Sequence, residues 1–529
     1  MKWLAVLVLA LATALPAQAE TVLRRGMGTE PETLDTQCSS GEPESYIELD
    51  LLEGLLTYDA EGRPVPGAAE RWTISPDGLT YTFILRADGK WSDGSPVTAD
   101  DFVFSWRRLA DPKTASRYAY FLNPVKNARA VAEGRLAPDA LGVAARDART
   151  LVVTLAAPAA PFLASLAHHS LYPVNPKAVQ AFGDGYTQPG RYLSNGPYVL
   201  AEAVPQDHVT LVRNPYFRAA TAVAVDKVIY YPTENRDTEL RRFRAGELDV
   251  TYDIPEAQIA WLRQNMAAEL RIAPFLSTFY FAFNLTHEPW KSEPKLRRAL
   301  TLALDRDIIT GKITKSGQLP AYTLVPPGTQ GYDATAAQPE WASWPQSRRN
   351  EEARRLLKEA GYGPGAKPLE LEIYYSTSEN YRKLALAAMA MWKMILGIKA
   401  VPVNQEWRVF LDTRNRKLYR DLARVGWIGD FNDAASFLDI YRSDAGSQNH
   451  AGYADAEFDR LTAAATVERD AGRRRDLLTR AERRLVEDCI LIPVYTYASH
   501  VLVSTRVQGW RDNVLNMHPS RYLSLMPPG

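Results

Sequence analysis

Thr80-Tyr81-Thr82-Phe83-Ile84-Leu85, followed by Thr98-Ala99-Asp100-Asp101-Phe102-Val103-Phe104-Ser105-Trp106, sets the architecture. In the first run Tyr81, Phe83 and Leu85 alternate with Thr80, Thr82 and Ile84, the period of a strand with one buried face. The second run opens a helix. Thr98 is placed to cap it, and Asp101 is placed to reach back to that cap and to favour the positive end of the helix. Phe102, Trp106 and Leu109 then share one face. Leu151-Val152-Val153-Thr154-Leu155 reads as a buried strand. Strand, helix and strand in this order predict an α/β chain with antiparallel pieces.

The same alternation continues outward. Asn350 is predicted to cap a helix with a stripe of Ala353, Leu356, Leu357 and Ala360, ended by Gly361. A longer apolar helix is predicted from about Tyr381 to Leu396, stopping at Gly397. Pro326-Pro327-Gly328 and Gly363-Pro364-Gly365 read as loops inside a lobe, because both flanks are periodic.

At the start, Met1-Lys2-Trp3, an apolar run from Leu4 to Leu15, and Pro16-Ala17-Gln18-Ala19 have the layout of a cleavable export signal. The run is too short to span a bilayer. Cleavage after Ala19 leaves 510 of the 529 residues, more than one hydrophobic core accommodates, so two to four domains are expected. No later run reaches transmembrane length. With 62 basic and 62 acidic residues, the chain lacks the field of a nucleic-acid binder. Cys38 and Cys489 could pair in an oxidising compartment; two isolated buried thiols are the alternative.

Catalytic patterns are thin. Ser292-Glu293-Pro294-Lys295 matches S-x-x-K, the nucleophile and base of serine acyl-enzymes, but the third element of that set is missing. Ser292 reads more simply as a helix cap ahead of Pro294. His168 and His169, read as neighbours on a strand, would point to opposite faces and are not expected to share a metal. No catalytic residue, metal ligand or cofactor site is expected. Three charges stand out instead: Arg414, Arg424 and Asp430. Arg424 lies in the apolar run Leu422-Ala423-Arg424-Val425-Gly426-Trp427, where a charge should be paired.

The chain resembles the periplasmic oligopeptide-binding proteins of ABC importers, in solute-binding protein family 5, which also holds dipeptide, murein-peptide, nickel and haem receptors. The likeness covers essentially the whole mature chain. It is carried by Glu53-Gly54-Leu55-Leu56, Pro66-Gly67-Ala68-Ala69-Glu70-Arg71-Trp72, Lys90-Trp91-Ser92-Asp93-Gly94 and the block from Thr98 to Trp106. Further on come Asn195-Gly196-Pro197-Tyr198, Asp305-Arg306-Asp307-Ile308-Ile309, Asn404-Gln405-Glu406-Trp407 and the stretch from Gly426 to Asp430.

What the resemblance implies is an α/β, two-lobed periplasmic-binding-protein fold (type II, cluster C) with an extra third domain. Lobe I would comprise residues 20–52, 178–276 and 498–529. The extra domain would be 53–177 and lobe II 277–497, with a two-stranded hinge between the lobes. The function implied is capture of short peptides, about two to five residues, in the cleft and delivery to an ABC permease in the inner membrane. The receptor would be a periplasmic monomer of a Gram-negative cell.

By position, Asp430 would grip the α-ammonium of the peptide. Arg424 and Arg414 would meet its carboxylate, the guanidinium fork suiting that group better than lysine. Ser40-Gly41-Glu42 and Gly426-Trp427-Ile428 would pair with the peptide backbone, and Tyr118, Trp407 and Trp427 would surround it. Four departures from relatives are visible, one of them an extra residue between Arg414 and Arg424. Ser40 replaces an acidic residue. Tyr381 replaces a histidine offered to longer peptides. Ser277 and Ile428 occupy the positions of a disulfide that cannot form here. The other readings are a family receptor for a dipeptide, murein tripeptide, opine or metal complex, and the S-x-x-K acyl-enzyme.

Overall fold

A computed structural model describes residues 20–39 and 41–527. The expected leader, residues 1–19, and Ser40 lie outside them. Three larger sheets organise the chain. The opening strand is Thr80–Leu85, with Tyr81, Phe83 and Leu85 buried and the threonines between them half-buried, as the alternation requires. It lies between Ala69–Ile74 and Thr150–Thr154 in a four-stranded sheet that Val143–Asp147 completes. Helix Ala99–Ala110 covers it, and the backbone N–H of Thr98 donates to Asp101 Oδ2 at 2.8 Å in a capping box. The other carboxyl duty of Asp101 is to accept from Trp91 Nε1 at 3.1 Å. One acid therefore fixes both the turn before the helix and its first turn. Phe102, Trp106 and Leu109 are fully buried beneath it.

A second four-stranded sheet runs in the order Val22–Gly26, Lys227–Tyr231, His208–Arg213, Tyr198–Val204. The third has six strands, ordered Leu319–Pro320, Leu491–Leu502, Leu270–Phe283, Leu422–Ile428, Glu370–Ser376, Lys399–Gln405. Its two longest strands, Leu270–Phe283 and Leu491–Leu502, are antiparallel and join two apolar clusters. At one end Leu270, Ile272 and Leu502 pack with Leu240, Phe243 and Leu262. At the other Phe279, Phe281, Ile492 and Val494 pack with Leu300, Leu384 and Trp392. Between the clusters the register breaks, from Pro274 opposite Ala498 to Thr278 opposite Thr496. Proline has no N–H for the ladder, so the pair is weakest where it passes from one core to the other.

Several local expectations are corrected. Helix Gln346–Glu359 starts at Pro345, not Asn350. Proline fixes the entry, and the polar residues after it propagate the helix through Asn350, whose Oδ1 accepts from Gln346 Nε2 at 2.7 Å. Helix Glu379–Leu396 is capped by Ser378 and ends at Gly397 with φ +69°. Glu293, not Ser292, is the cap of helix Pro294–Leu302. His168 and His169 open a short 3-10 turn rather than sitting on a strand, so their rings lie together at 4.2 Å instead of on opposite faces. The thiols of Cys38 and Cys489 are separate, each near a backbone carbonyl, Thr114 O and Val486 O, and burial pushes both up to about 11. Among the described residues no helix is long and apolar enough to cross a membrane.

Candidate functional site

Strand Leu422–Ile428 pairs along its whole length with Ser277–Phe283. On its other edge the parallel partner Glu370–Ser376 meets it only at Leu422 and Ala423. Beyond that point Glu370–Ser376 stays with Lys399–Gln405 as far as Ser376 opposite Gln405. The two parallel strands thus part beyond Ala423, toward their carboxyl ends, where open α/β sheets place ligands, and residues 424–428 keep an edge that has no strand partner among the described residues. Such an edge offers unpaired N–H and C=O groups.

Arg424 begins that edge and is 4 % exposed. Its partners are rings, not an acid. The guanidinium carbon lies 3.9 Å from the centre of Tyr381, 5.0 Å from Phe410 and 5.2 Å from Trp407. Nη2 donates to Ser376 Oγ at 2.6 Å, and Nε is buried without a partner among the described residues. Trp407 is 48 % exposed and stacks on Phe410 at 6.3 Å. Arg414, one helix away, reaches Asn415 Oδ1 at 3.2 Å and Phe410 at 5.8 Å. Burial lowers its pKa, and the charge of Arg424 lowers it further. Around Arg414 lie Tyr280, Tyr441 and His450; the Tyr280 and Tyr441 hydroxyls face each other, and the buried Nδ1 of His450 has no partner among the described residues. Sequence reasoning missed these three, because each sits in an ordinary apolar or loop context.

Asp430 stands at the other end of the edge. Burial raises its carboxyl to about 6, against a hydrogen bond from the Tyr120 hydroxyl, and no cation pairs with it among the described residues. Its backbone N–H donates to Ser436 Oγ at 2.8 Å, while Ser436 O accepts from Trp427 Nε1 at 2.7 Å. Ser436 therefore fixes the indole and the acid together. Tyr118 packs beside Tyr120 and Phe121, at 6.1 and 5.7 Å. Its phenol is pushed up to about 12 by burial first and then by Asp430. Tyr120 is a second residue that the sequence gave no reason to single out.

The remaining expected residues divide. Gly426 lies opposite Phe279, and a Cβ there would come within 2.8 Å of Tyr497 Oη. Ile428 is 56 % exposed, opposite Ser277, whose Oγ donates to Trp427 O at 2.7 Å. Of Ser40-Gly41-Glu42, the described part is not a strand. Gly41 is extended, with φ −95° and ψ 153°, and caps helix Glu42–Leu51. The Glu42 carboxylate accepts from the hydroxyls of Tyr46 and Tyr252 at 2.7 and 2.8 Å. Two cavities flank the edge. One of about 330 Å3 adjoins Tyr381, Glu42, Tyr252 and Tyr497. The other, about 480 Å3, holds Asp430 and Tyr120.

The S-x-x-K pair is not assembled. Ser292 Oγ donates to Glu288 Oε2, and Lys295 Nζ donates to Glu359 Oε2 at 3.0 Å. His168 and His169 are buried and held uncharged by burial. No group of three metal-ligating side chains occurs among the described residues.

Residues 63–449 match the model of bacterial extracellular solute-binding proteins, family 5 Middle. The chain is 42 % identical to the periplasmic oligopeptide-binding protein OppA of Salmonella typhimurium, over 93 % of this chain and 90 % of that one. Among solved structures, the unliganded open form of the periplasmic murein tripeptide binding protein MppA superposes with a TM-score of 0.85 at 34 % identity, covering 96 % of this chain and 98 % of that one. OppA of Haemophilus influenzae in complex with RPPGFSPFR gives 0.79 at 37 % identity, covering 96 % and 100 %. The chain belongs to the bacterial extracellular solute-binding proteins of family 5.

Proposed function

We propose that this protein is an extracytoplasmic receptor that captures short peptides in the cleft and hands them to the permease of an ABC importer. One observation carries the reading. Arg424 and Asp430 bracket a strand edge that has no strand partner among the described residues; Arg424 is buried and Asp430 half-buried, and neither has a counter-ion among the described residues. Such charges cost several kcal/mol unless paired. A zwitterion with an ammonium at one end and a carboxylate at the other supplies both partners. Six extended residues span at most about 20 Å. A peptide of five residues spans about 17 Å, leaving a remainder that the arginine side chain covers.

The peptide lies along residues 425–428 as an added strand, so its backbone supplies the affinity. Asp430 takes the α-ammonium, and Arg424 or Arg414 the carboxylate according to length. Trp427, Trp407, Tyr118 and Tyr381 wall the ligand, and water fills the room left around variable side chains. Gly41 and Glu42 close on it from the opposing lobe. Lobe I is 20–52, 178–276 and 498–529, the extra domain 53–177 and lobe II 277–497. Closure bends the two long strands at the register break between Pro274 and Thr278. Better superposition on an unliganded open relative than on a peptide complex supports an open empty form that ligand contacts shift to closed. Residues 1–19 direct export to the periplasm, where the receptor acts as a monomer.

Mass spectrometry of the small molecules released on denaturing protein purified from its native compartment tests this. Short peptides of mixed sequence are expected. A single non-peptide ligand recovered at one per chain contradicts the reading.

A further inference from the structure

At Leu276 the edge of the long strand Leu270–Phe283 changes hands. Its carbonyl accepts from the N–H of Gly429, one residue before Asp430, at 2.8 Å, and its own N–H donates to Val514 O at 2.7 Å. Leu276 is fully buried and sits inside the register break between Pro274 and Thr278. On the proposed lobe boundaries Gly429 belongs to lobe II and Val514 to lobe I, so one hinge residue is bonded to both.

The segment around Val514 is fixed on the lobe I side. Asn513 Oδ1 accepts from the N–H groups of Leu515 and Met517, both at 3.2 Å, which folds residues 513–517 into a compact turn. Asn516 Nδ2 donates to the Tyr46 hydroxyl at 3.0 Å, and that hydroxyl donates to Glu42 at 2.7 Å. Asn516 lines the same cavity of about 330 Å3 as Glu42 and Tyr381, so the turn lies within the angle between the lobes. Facing it is a lobe II loop that is held firmly. Glu482, wholly buried, accepts from the N–H groups of Leu324 and Val325 at 2.8 and 2.6 Å and from the Tyr332 hydroxyl at 2.5 Å. In this loop Gly328 has φ +89°, a conformation that favours glycine, and a Cβ there would lie 2.7 Å from Val514 Cγ1. The loop backbone therefore rests close against the valine side chain.

We propose that Val514, seated between the C-terminal turn and the Gly328 loop, is a stop at the hinge that holds the empty cleft open. It is a positioning residue, acting on the ligand through the lobes and not by contact. The inference rests on the peptide reading of the cleft and on those lobe boundaries. Packed side chains resist compression, so the lobes cannot approach at this point without displacing the valine. Capture of an ammonium at Asp430 pulls on Gly429, and the bond from Gly429 to Leu276 carries that pull to the residue that Val514 holds. The ligand supplies the differential contacts that shift the lobes. Trimming the stop makes the closed form easier to reach without ligand, and a larger closed fraction raises the apparent affinity.

Small-angle X-ray scattering of the peptide-free protein and calorimetry with Ala-Ala-Ala test it on two variants. Val514→Ala removes the atoms that face Gly328. It is expected to shrink the radius of gyration of the empty protein and to bind Ala-Ala-Ala severalfold tighter. Val514→Ile adds a methylene in the same place and is expected to do the opposite in both measurements. Opposite shifts are what a spacer produces, whereas a merely structural residue lowers the unfolding temperature in both variants and leaves the radius unchanged. Unchanged radii, or shifts of the same sign, overturn the stop. The scattering comparison decides without any ligand, and if one variant does not fold the other still carries it. A wild type that compacts on Ala-Ala-Ala while both variants behave as it does overturns the stop and leaves the peptide reading standing. A wild type that neither binds Ala-Ala-Ala nor compacts with it overturns the peptide reading, whatever the variants do.

Discussion

The guanidinium carbon of Arg424 lies 3.9 Å from the centre of the Tyr381 ring, with Phe410 and Trp407 closing around it. Ring faces attract a cation, more strongly once water is removed, but they do not neutralise it. The arrangement keeps a buried positive charge in place among three rings. Arg424→Met fills the same ring cage without the charge. The variant should unfold at a higher temperature, with a gain of about 1–3 kcal/mol, and bind tripeptides a hundredfold or more weaker, on the order of 3–5 kcal/mol. Differential scanning calorimetry and titration calorimetry read the two effects. A variant both less stable and fully binding contradicts this account of Arg424.

Asp430 predicts a pH dependence with a definite sign. In the empty cleft burial raises it to about 6, above the value of about 3.9 for an unperturbed aspartate. The protonated acid therefore favours the folded empty state. That contribution is complete below about pH 4 and is lost as pH rises through about 6. A bound ammonium reverses the shift, because an adjacent opposite charge favours the ionised form. Tripeptide affinity should fall about tenfold from pH 7 to pH 5, and binding at pH 6 should release about half a proton. Calorimetry in two buffers of different ionisation enthalpy measures that proton. Flat affinity across the window would show that this carboxyl does not face the ligand.

Ser436 is the brace between the indole and the acid. Ser436→Ala removes only the acceptor for the Asp430 N–H, since the bond from Trp427 goes to the backbone carbonyl. A loss of about 1 kcal/mol in stability is expected, with a several-fold loss of peptide affinity as Asp430 loosens. Unchanged affinity in a destabilised variant would make the brace purely structural.

Gly426 and Tyr497 form a testable pair. A Cβ at 426 would lie 2.8 Å from Tyr497 Oη but 3.6 Å from its ring carbons. Gly426→Ala should cost about 1–3 kcal/mol through overpacking. Tyr497→Phe removes the clashing atom, so the double variant should recover most of that loss. Additive effects in the double-mutant cycle would show that the two do not meet.

How much of this was legible in the sequence depended on distance along the chain. The Thr80–Leu85 strand and the Thr98 capping box are local devices, and their alternation and three-residue spacing survive intact in the fold. Asn350 misled because a capping residue beside acids resembles a helix start, while Pro345, five residues earlier, already fixes the entry. Ser292 misled for the same reason, one residue from the true cap. That Arg424 needed a partner was readable from its apolar run. That the partners are Tyr381, Trp407 and Phe410 was not, because those rings come from two helices up to 43 residues away. Tyr120, Tyr280 and His450 carry no local signal, since only tertiary packing brings them to Asp430 and Arg414.

The central claim is that Asp430 waits for the α-ammonium of a peptide. Titration calorimetry of Ala-Ala-Ala and N-acetyl-Ala-Ala-Ala, against the wild type and Asp430→Asn, measures it most directly. The free peptide should bind the wild type and lose 3–5 kcal/mol, on the order of a hundredfold or more, on acetylation or on Asp430→Asn. The two changes together should cost little more than either alone. Equal binding of the free and acetylated peptides by the wild type would contradict the account.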